Sequence, residues 1–275
     1  MKPKIFITGS SGFIGFHVAK RFLEKGIKVH GFDSMNNYYD VSLKKSRLNI
    51  LKKYKNFSFT KGNLEHHKIL SKIIIKFKPK IIIHLAAQAG VRFSIKNPDS
   101  YLNSNILGTF NILKVAHNIK VKHLIIGSSS SVYGANKKIP FKEIDKTDHQ
   151  VSFYAATKKS TEALAHAYSS LWKLPITMLR FFTVYGPFGR PDMAYFKFTK
   201  KILKGRKIDI YNKGKMYRDY TYVDDIVDGI FKILNKIPKI SSKRKIKNDS
   251  LSPVAPFRIL NIGNTKKIYL LDFIN

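Results

Sequence analysis

Tyr154 and Lys158 stand four residues apart in "FYAATKKS", residues 153 to 160. On a helix that spacing sets a phenol and an ammonium one turn apart on one face. Two readings compete. A surface helix can carry such a pair by chance. Alternatively, the ammonium lowers the phenol's pKa, and the tyrosine exchanges protons near neutral pH. A second stretch, "TGSSGFIGFHV", holds Gly9, Gly12 and Gly15 three residues apart. Gly9 permits a tight turn, Gly12 lets the backbone approach a pyrophosphate, and Gly15 lets a helix pack closely on a sheet. Phe13 and Ile14 then open a helix whose free N–H groups and dipole favour phosphate charge. Asp33 closes the next apolar run. A carboxylate at that offset accepts hydrogen bonds from an adenosine ribose and repels a 2′-phosphate, which predicts NAD rather than NADP.

These groups need a scaffold to bring them together. Short β-branched runs at 4–9, 28–33, 57–62, 80–87, 123–129 and 175–182 read as strands. Amphipathic stretches at 13–26, 66–77, 100–118 and 153–172 read as helices between them. Continuous Ile/Leu/Val strands separated by helices imply a parallel sheet covered on both faces. The predicted fold class is therefore α/β: a Rossmann-like, doubly wound parallel sheet with its ligand crevice at the carboxyl ends of the strands. After residue 183 the pattern becomes irregular. "TVYGPFGRPDMA" reads as a loop, followed by a helix at 194–204, a strand near "IDIYN" and a helix at 223–235. Residues 1–182 are expected to form the cofactor domain, with 223–235 and 258–263 packing back on it. Residues 183–275 are expected to form a smaller substrate lobe.

Composition narrows the classes. The chain has 275 residues and no cysteine, which excludes disulfides, thiolate metal sites and thiol nucleophiles. No apolar run is long enough to span a bilayer, and the opening "MKPKIFITGS" is too short for a secretory signal. A cytoplasmic protein is expected. The formal net charge is +34, but the lysines are spread along the chain, with one cluster at "SSKRKIKND", residues 241 to 249. That pattern predicts a diffuse basic surface, able to attract anionic ligands and to adhere non-specifically to nucleic acid. His84 reads as a packed strand-end histidine, and the adjacent His66 and His67 as solvated. No metal site is expected.

A dinucleotide motif, serines after the fifth strand in "GSSSSVYG" and Y-x-x-x-K on the following helix resemble the extended short-chain dehydrogenase/reductase family. The resemblance implies that Tyr154 is the general base or acid, that Lys158 lowers its pKa and binds the nicotinamide ribose, and that Ser129 steadies the reacting oxygen. "GNL" resembles the family's adenine-contacting motif, with Asn63 in place of the usual aspartate and Leu64 beside it. Leu85, Ala86, Ala87 and Gln88 of "HLAAQAG", Asn105 of "NSNILGT" and Phe182 are further implied cofactor contacts.

The two residues after Ser129 divide the reactions of that family. Dehydratases place Asp-Glu there and decarboxylases a glutamate at the second position. Here they are Ser130 and Ser131, which favours epimerisation. "GFDSMNNYYDVSLKKSRL", "AAQAGVRFSIKNPDSY" and "RFFTVYGPFGRPDMA" are similar to the UDP-glucuronate 4-epimerase group. That similarity implies a UDP-sugar substrate whose carboxylate is held by Thr183 and Arg190, and whose diphosphate is held by Arg218. It also implies a homodimer formed through the helices at about 100–118 and 153–172. "KKIYLLDFIN" reads as the opening of a helix that does not finish, and family chains continue past this point, so the substrate lobe is expected to be incomplete. An NAD-binding remnant with little or no turnover, a UDP-glucose/galactose-type epimerase and a basic nucleic-acid-associated protein are the competing readings. The full catalytic set favours the epimerase, the abrupt end and Asn63 the remnant, and charge alone the third.

Overall fold

The computed structural model describes residues 2–240 and 249–274. Most of the basic cluster at 241–249 therefore lies outside the described residues. The chain opens with β1 (Ile5–Thr8), α1 (Phe13–Glu24), β2 (Val29–Asp33), α2 (Val41–Lys52) and β3 (Phe57–Lys61). It continues through α3 (His67–Phe77), β4 (Ile81–His84) and the single turns α4 (Phe93–Lys96) and α5 (Pro98–Tyr101). A π-helical stretch, Leu102–Leu107, runs into α6 (Gly108–Asn118). Then come β5 (His123–Ser129), a 3-10 turn (Ser130–Tyr133), α7 (Phe153–Trp172) and β6 (Ile176–Phe181). The remainder holds β7 (Thr183–Tyr185), α8 (Ala194–Ile202), β8 (Tyr217–Tyr222), α9 (Val223–Ile233), β9 (Phe257–Ile262), β10 (Lys267–Tyr269) and α10 (Leu270–Ile274).

Seven strands form one sheet in the order β3-β2-β1-β4-β5-β6-β9, and every neighbouring pair is parallel. The order reverses beside β1, and the crevice at that switch point is where such sheets bind ligands. Both faces are covered. On one, α1 and α9 bury Phe16, Phe22, Val223, Ile226 and Ile230 against Ile5, Ile7 and Ile83. On the other, α3, α6 and α7 bury Leu70, Ile112, Leu113 and Ala165 against Phe6, Ile82, Leu124 and Ile126. Two-sided burial explains why these strands read as unbroken Ile/Leu/Val rather than alternating. A second, three-stranded sheet, β10-β8-β7, stands over the crevice.

The structure departs from the sequence expectations in several places; "TVY", in the stretch expected to be a loop, forms β7, and "KIY", expected to open a helix, forms β10. The fourth strand stops at His84, so Leu85–Ala87 are loop. The helix expected at 100–118 is interrupted by the π-helical stretch, where the extra residue per turn carries Asn105 to the inner side. "IDIYN" forms no strand; a 3-10 turn, Tyr211–Gly214, occupies its end. The strand lies further on, at β8, where Tyr217–Asp219 pair with β10 and Tyr220–Tyr222 with β7. Finally, α2 was not foreseen, because "VSLKKSRLNILK" is polar on most of its circumference and buries only Lys44, Arg47, Leu48 and Leu51.

Candidate active site

The turn after β1 is shaped by its glycines. Gly9 has φ +73, and a Cβ there would lie 2.7 Å from the backbone nitrogen of Ala86. A Cβ on Gly15 would come within 2.0 Å of the Gly9 carbonyl oxygen, so helix and turn touch backbone to backbone. Gly12 begins α1 without any side-chain cap. The first-turn N–H groups have no intrahelical acceptor and face the cleft lined by Gly9, Gly12, Phe13, Ile14 and Gly15. Asp33, at the end of β2, is buried. Its two oxygens each accept one backbone N–H, from Ser11 at 3.0 Å and Met35 at 2.8 Å. These bonds orient the carboxylate and leave acceptor capacity on both oxygens.

The cleft runs on for about 1540 Å³ past Asn63, Leu64, Leu85, Ala86, Ala87 and Gln88 to Ser129, Tyr154 and Lys158. It then reaches Phe182, Thr183, Arg190 and Arg218 beneath the small sheet. Single-ligand sites occupy roughly 300–1,000 Å³, so this cleft has room for a dinucleotide and a second nucleotide-sized molecule. The uncapped helix, the glycine cradle and the oriented Asp33 fit NAD. Gly9, Gly12, Phe13, Ile14 and Gly15 would hold its pyrophosphate, Asp33 its ribose, and Asn63 and Leu64 its adenine. The segment Leu85–Gln88, with Lys158 and Phe182, would enclose the nicotinamide half.

Asn105 is the exception among the expected cofactor contacts. It is fully buried and does not line the cleft. Its carbonyl oxygen accepts the Gln88 N–H at 2.8 Å, and its amide donates to the Gln88 carbonyl at 3.1 Å and to Thr157 Oγ1 at 3.0 Å. The residue is held behind the wall by the π-helical turn. It ties the loop after β4 to α7 one turn from Tyr154.

Ser129 ends β5, and Ser152 caps α7 by accepting the Ala155 N–H. Tyr154 lies in the first turn of α7, and Ser129 Oγ donates to Ser131 Oγ and accepts the Ser131 N–H, both at 3.1 Å. Burial raises the Tyr154 pKa, while the nearby Ser129 hydroxyl and the charge of Arg190 pull it down without cancelling the rise. The Lys158 ammonium is buried and donates to the Gly127 carbonyl at 2.7 Å. Burial pulls Lys158 down to about 8, opposed by the charge of Glu162 one turn further along α7.

Glu162 is itself buried in a network that sequence reasoning missed. It accepts from Ser128 Oγ at 2.7 Å and from Arg180 Nε and Nη2 at 2.9 and 2.8 Å. Arg180 lies over the Tyr133 ring at 4.8 Å. Tyr154, Lys158 and Glu162 stand four residues apart in the sequence, along one helical face over about two turns, but the partner on β6 cannot be read from that spacing.

Arg190 sits at the far wall of the cleft. It makes a bidentate pair with Asp192, at 3.0 Å through Nε and 2.5 Å through Nη2. Tyr38 donates to the same carboxylate at 3.1 Å. Burial pushes Asp192 up, but the pair with Arg190 and the Tyr38 hydrogen bond outweigh it and hold the carboxyl below its usual value. Burial and the same carboxylate push the Tyr38 phenol up to about 12. Thr183 begins β7 and Arg218 lies exposed on β8. His84 is packed, as its position suggested: Thr8 Oγ1 lies 2.7 Å from Nδ1, and Thr109 Oγ1 3.1 Å from Nε2. Among the described residues, no group of three His, Asp or Glu side chains is placed to hold a metal, and no helix is long and apolar enough to cross a membrane.

A glycine-cradled dinucleotide turn, a tyrosine-serine pair and a serine-lined strand end define a nucleotide-dependent epimerase or dehydratase. Residues 5–247 match the model of the NAD dependent epimerase/dehydratase family, and the chain belongs to that family. It is 51% identical over 273 residues to Protein CapI of Staphylococcus aureus, covering 98% of this chain and 81% of the relative. It is 49% identical over 274 residues to a Rhizobium meliloti protein named as a probable UDP-glucuronate 4-epimerase, covering 98% and 80%. The crystal structure of UDP-glucuronic acid 4-epimerase from Bacillus cereus, in complex with UDP-glucuronic acid and NAD, superposes with a TM-score of 0.85 at 33% identity, covering 98% of this chain and 81% of that one.

Proposed function

We propose that this chain interconverts UDP-glucuronate and UDP-galacturonate by NAD-dependent epimerisation at C4. The observation that carries this reading is that Arg190 lines the same cleft as Tyr154, Ser129 and Lys158. An arginine fork there suits the carboxylate of a uronic acid, and the related Bacillus cereus enzyme was crystallised with such a substrate. Ser130 and Ser131 in place of carboxylates leave no acid–base pair for removing water.

Held by the glycine turn, Asp33 and Lys158, NAD would supply the hydride acceptor for C4 and the donor for its return to the other face. The chain's own groups do the rest. Tyr154 removes the C4 hydroxyl proton and gives it back after the sugar has turned. Ser129, which lines the same cleft as Tyr154, orients the reacting oxygen. Lys158, fixed to Gly127, holds its ammonium where the nicotinamide ribose would lie. Thr183 and Arg190 grip the carboxylate. The 4-keto intermediate is a β-keto acid, and a grip that keeps the carboxylate C–C bond out of alignment with the ketone prevents loss of CO₂. Arg218 and the basic cleft mouth bind the diphosphate.

Conversion of UDP-glucuronate to UDP-galacturonate by the purified protein tests the reading, with absence of conversion by the NAD-loaded protein counting against it. Tyr154→Phe should bind UDP-glucuronate normally and lose roughly 10²–10⁴-fold in turnover. Arg190→Ala should lose about 10–150-fold in kcat/KM for the uronate, the value of a hydrogen bond to a charged group. We also infer a homodimer and a cytoplasmic location. Exposed Leu102, Leu107 and Phe110 near α6, with Leu171 and Trp172 at the end of α7, support the dimer.

A further inference from the structure

The loop that carries Arg190 is anchored on the cofactor half of the molecule. Arg47, on α2, is fully buried. Its Nη1 donates to the Ser11 carbonyl at 2.9 Å, inside the glycine turn, and to the Tyr39 hydroxyl at 2.7 Å. Its Nη2 donates to the Phe188 carbonyl at 2.6 Å. One guanidinium therefore joins the dinucleotide turn to the segment two residues before Arg190. Other contacts repeat the pattern. His17 Nε2, on α1, donates to the Pro187 carbonyl at 2.9 Å. Phe16, also on α1, meets the Phe188 ring at 5.3 Å. Tyr38, after β2, bonds Asp192. Phe188 itself is held at φ +54, a left-handed conformation that costs a bulky residue energy and persists only where the surroundings fix it.

We propose that Arg47 is a positioning residue for Arg190: it sets the carboxylate anchor from the dinucleotide turn, so that uronate recognition depends on the integrity of the cofactor half. A lysine cannot reproduce this link, because one ammonium replaces a planar fork whose two nitrogens serve two segments at once. Arg47 touches neither the reacting atoms nor the sugar, and its influence runs only through the loop. The proposal rests on Arg190 gripping a carboxylate, as above.

The test is a double-mutant cycle read by calorimetry on the NAD-loaded protein, using wild type, Arg47→Lys, Arg190→Ala and the double variant. Each is titrated with UDP-glucuronate and separately with UDP, which lacks the carboxylate. Arg47→Lys should weaken UDP-glucuronate by on the order of tenfold, as loss of a charge-assisted bond implies, and leave UDP within about twofold. In the Arg190→Ala background the same change should cost nothing further. An equal penalty in both backgrounds, or an equal loss of UDP affinity, overturns the proposal, since a merely structural role would weaken both ligands. Amide hydrogen exchange over residues 186–192 gives a readout independent of ligand. It should accelerate in Arg47→Lys while α1 stays protected, and an unchanged rate is a refutation. If the wild type fails to bind UDP-glucuronate, the functional reading fails, and the exchange experiment still decides whether Arg47 holds the loop.

Discussion

Glu162→Gln keeps the shape of a buried side chain and removes its charge. The carboxylate accepts three hydrogen bonds, from Ser128 and twice from Arg180, at 2.7 to 2.9 Å. Glutamine offers one oxygen, and its NH₂ group sets donor against donor at the other position. Both members of the Arg180–Glu162 pair are only 2% exposed, so water cannot take over. Breaking one side of such a pair costs about 3–5 kcal/mol, because the remaining charge stays buried without compensation. Unfolding entropy of roughly 2.1 cal/mol/K per residue over 275 residues comes to about 0.58 kcal/mol/K, so the melting midpoint should fall by about 5–9 °C. A second effect separates electrostatics from packing. Glu162 opposes the burial that holds Lys158 at about 8. Without that carboxylate the lysine loses its proton at lower pH, and the alkaline limb of kcat/KM should shift toward neutrality rather than merely scale down. Differential scanning calorimetry and a pH–rate profile of the NAD-loaded variant read the two effects. A midpoint within a degree or so of wild type, with an unmoved alkaline limb, would refute the reasoning.

Asp33→Ser removes the carboxylate expected to accept from the ribose and to repel a 2′-phosphate. The NAD-to-NADP affinity ratio measured by calorimetry should fall by on the order of tenfold, and an unchanged ratio would mean that Asp33 does not select the cofactor. Acidification should destabilise the fold through its buried histidines. Burial depresses His84 to about 3 and His30 to about 4, so both stay neutral in the fold while the unfolded chain protonates below about pH 6.5. The stability they contribute is fully present above that value and is lost as pH falls toward the folded pKa, at up to about 1.4 kcal/mol per pH unit for each. Denaturant midpoints between neutral pH and about pH 5 should decline, less steeply in His84→Asn, and a level profile would count against the assignment.

The doubly wound sheet was legible because two-sided burial writes itself into a strand as unbroken apolar residues, and because glycine punctuates a turn wherever a Cβ will not fit. Gly15 shows how local that signal is: its constraint comes from the Gly9 carbonyl six residues away. The small sheet was harder to read. Its strands, such as "YRDYTY", are short and half exposed, and their pairing is decided by neighbours distant in sequence. The buried polar residues were least legible. Arg47, Glu162 and Arg180 look like ordinary surface charges until the fold supplies their partners, 36 residues away for Arg47 at Ser11 and 18 for Glu162 at Arg180. Asn105 was legible as a residue but not in its orientation, because an interrupted helix cannot be recognised from a period of 3.6.

The charges around Tyr154 explain why a phenol in this cleft needs more than one cation. Burial alone raises its pKa, and Arg190 is the neighbouring charge that opposes the rise. Yet Arg190 already shares its charge with Asp192. A uronate carboxylate arriving at the same guanidinium would bring a second negative charge within range of the phenol. Binding the proposed substrate therefore makes Tyr154 a weaker acid at the moment when it must give up its proton. The deficit has to be met by other cations: Lys158 on α7, held by the Gly127 carbonyl of β5, and the pyridinium charge of oxidised NAD, which would lie against Leu85 to Gln88. On this account the carboxylate anchor and the base are electrostatically opposed. An enzyme that turns over a uronic acid is then obliged to keep its lysine protonated under the sheet edge, which is the service that Glu162 performs from within the core.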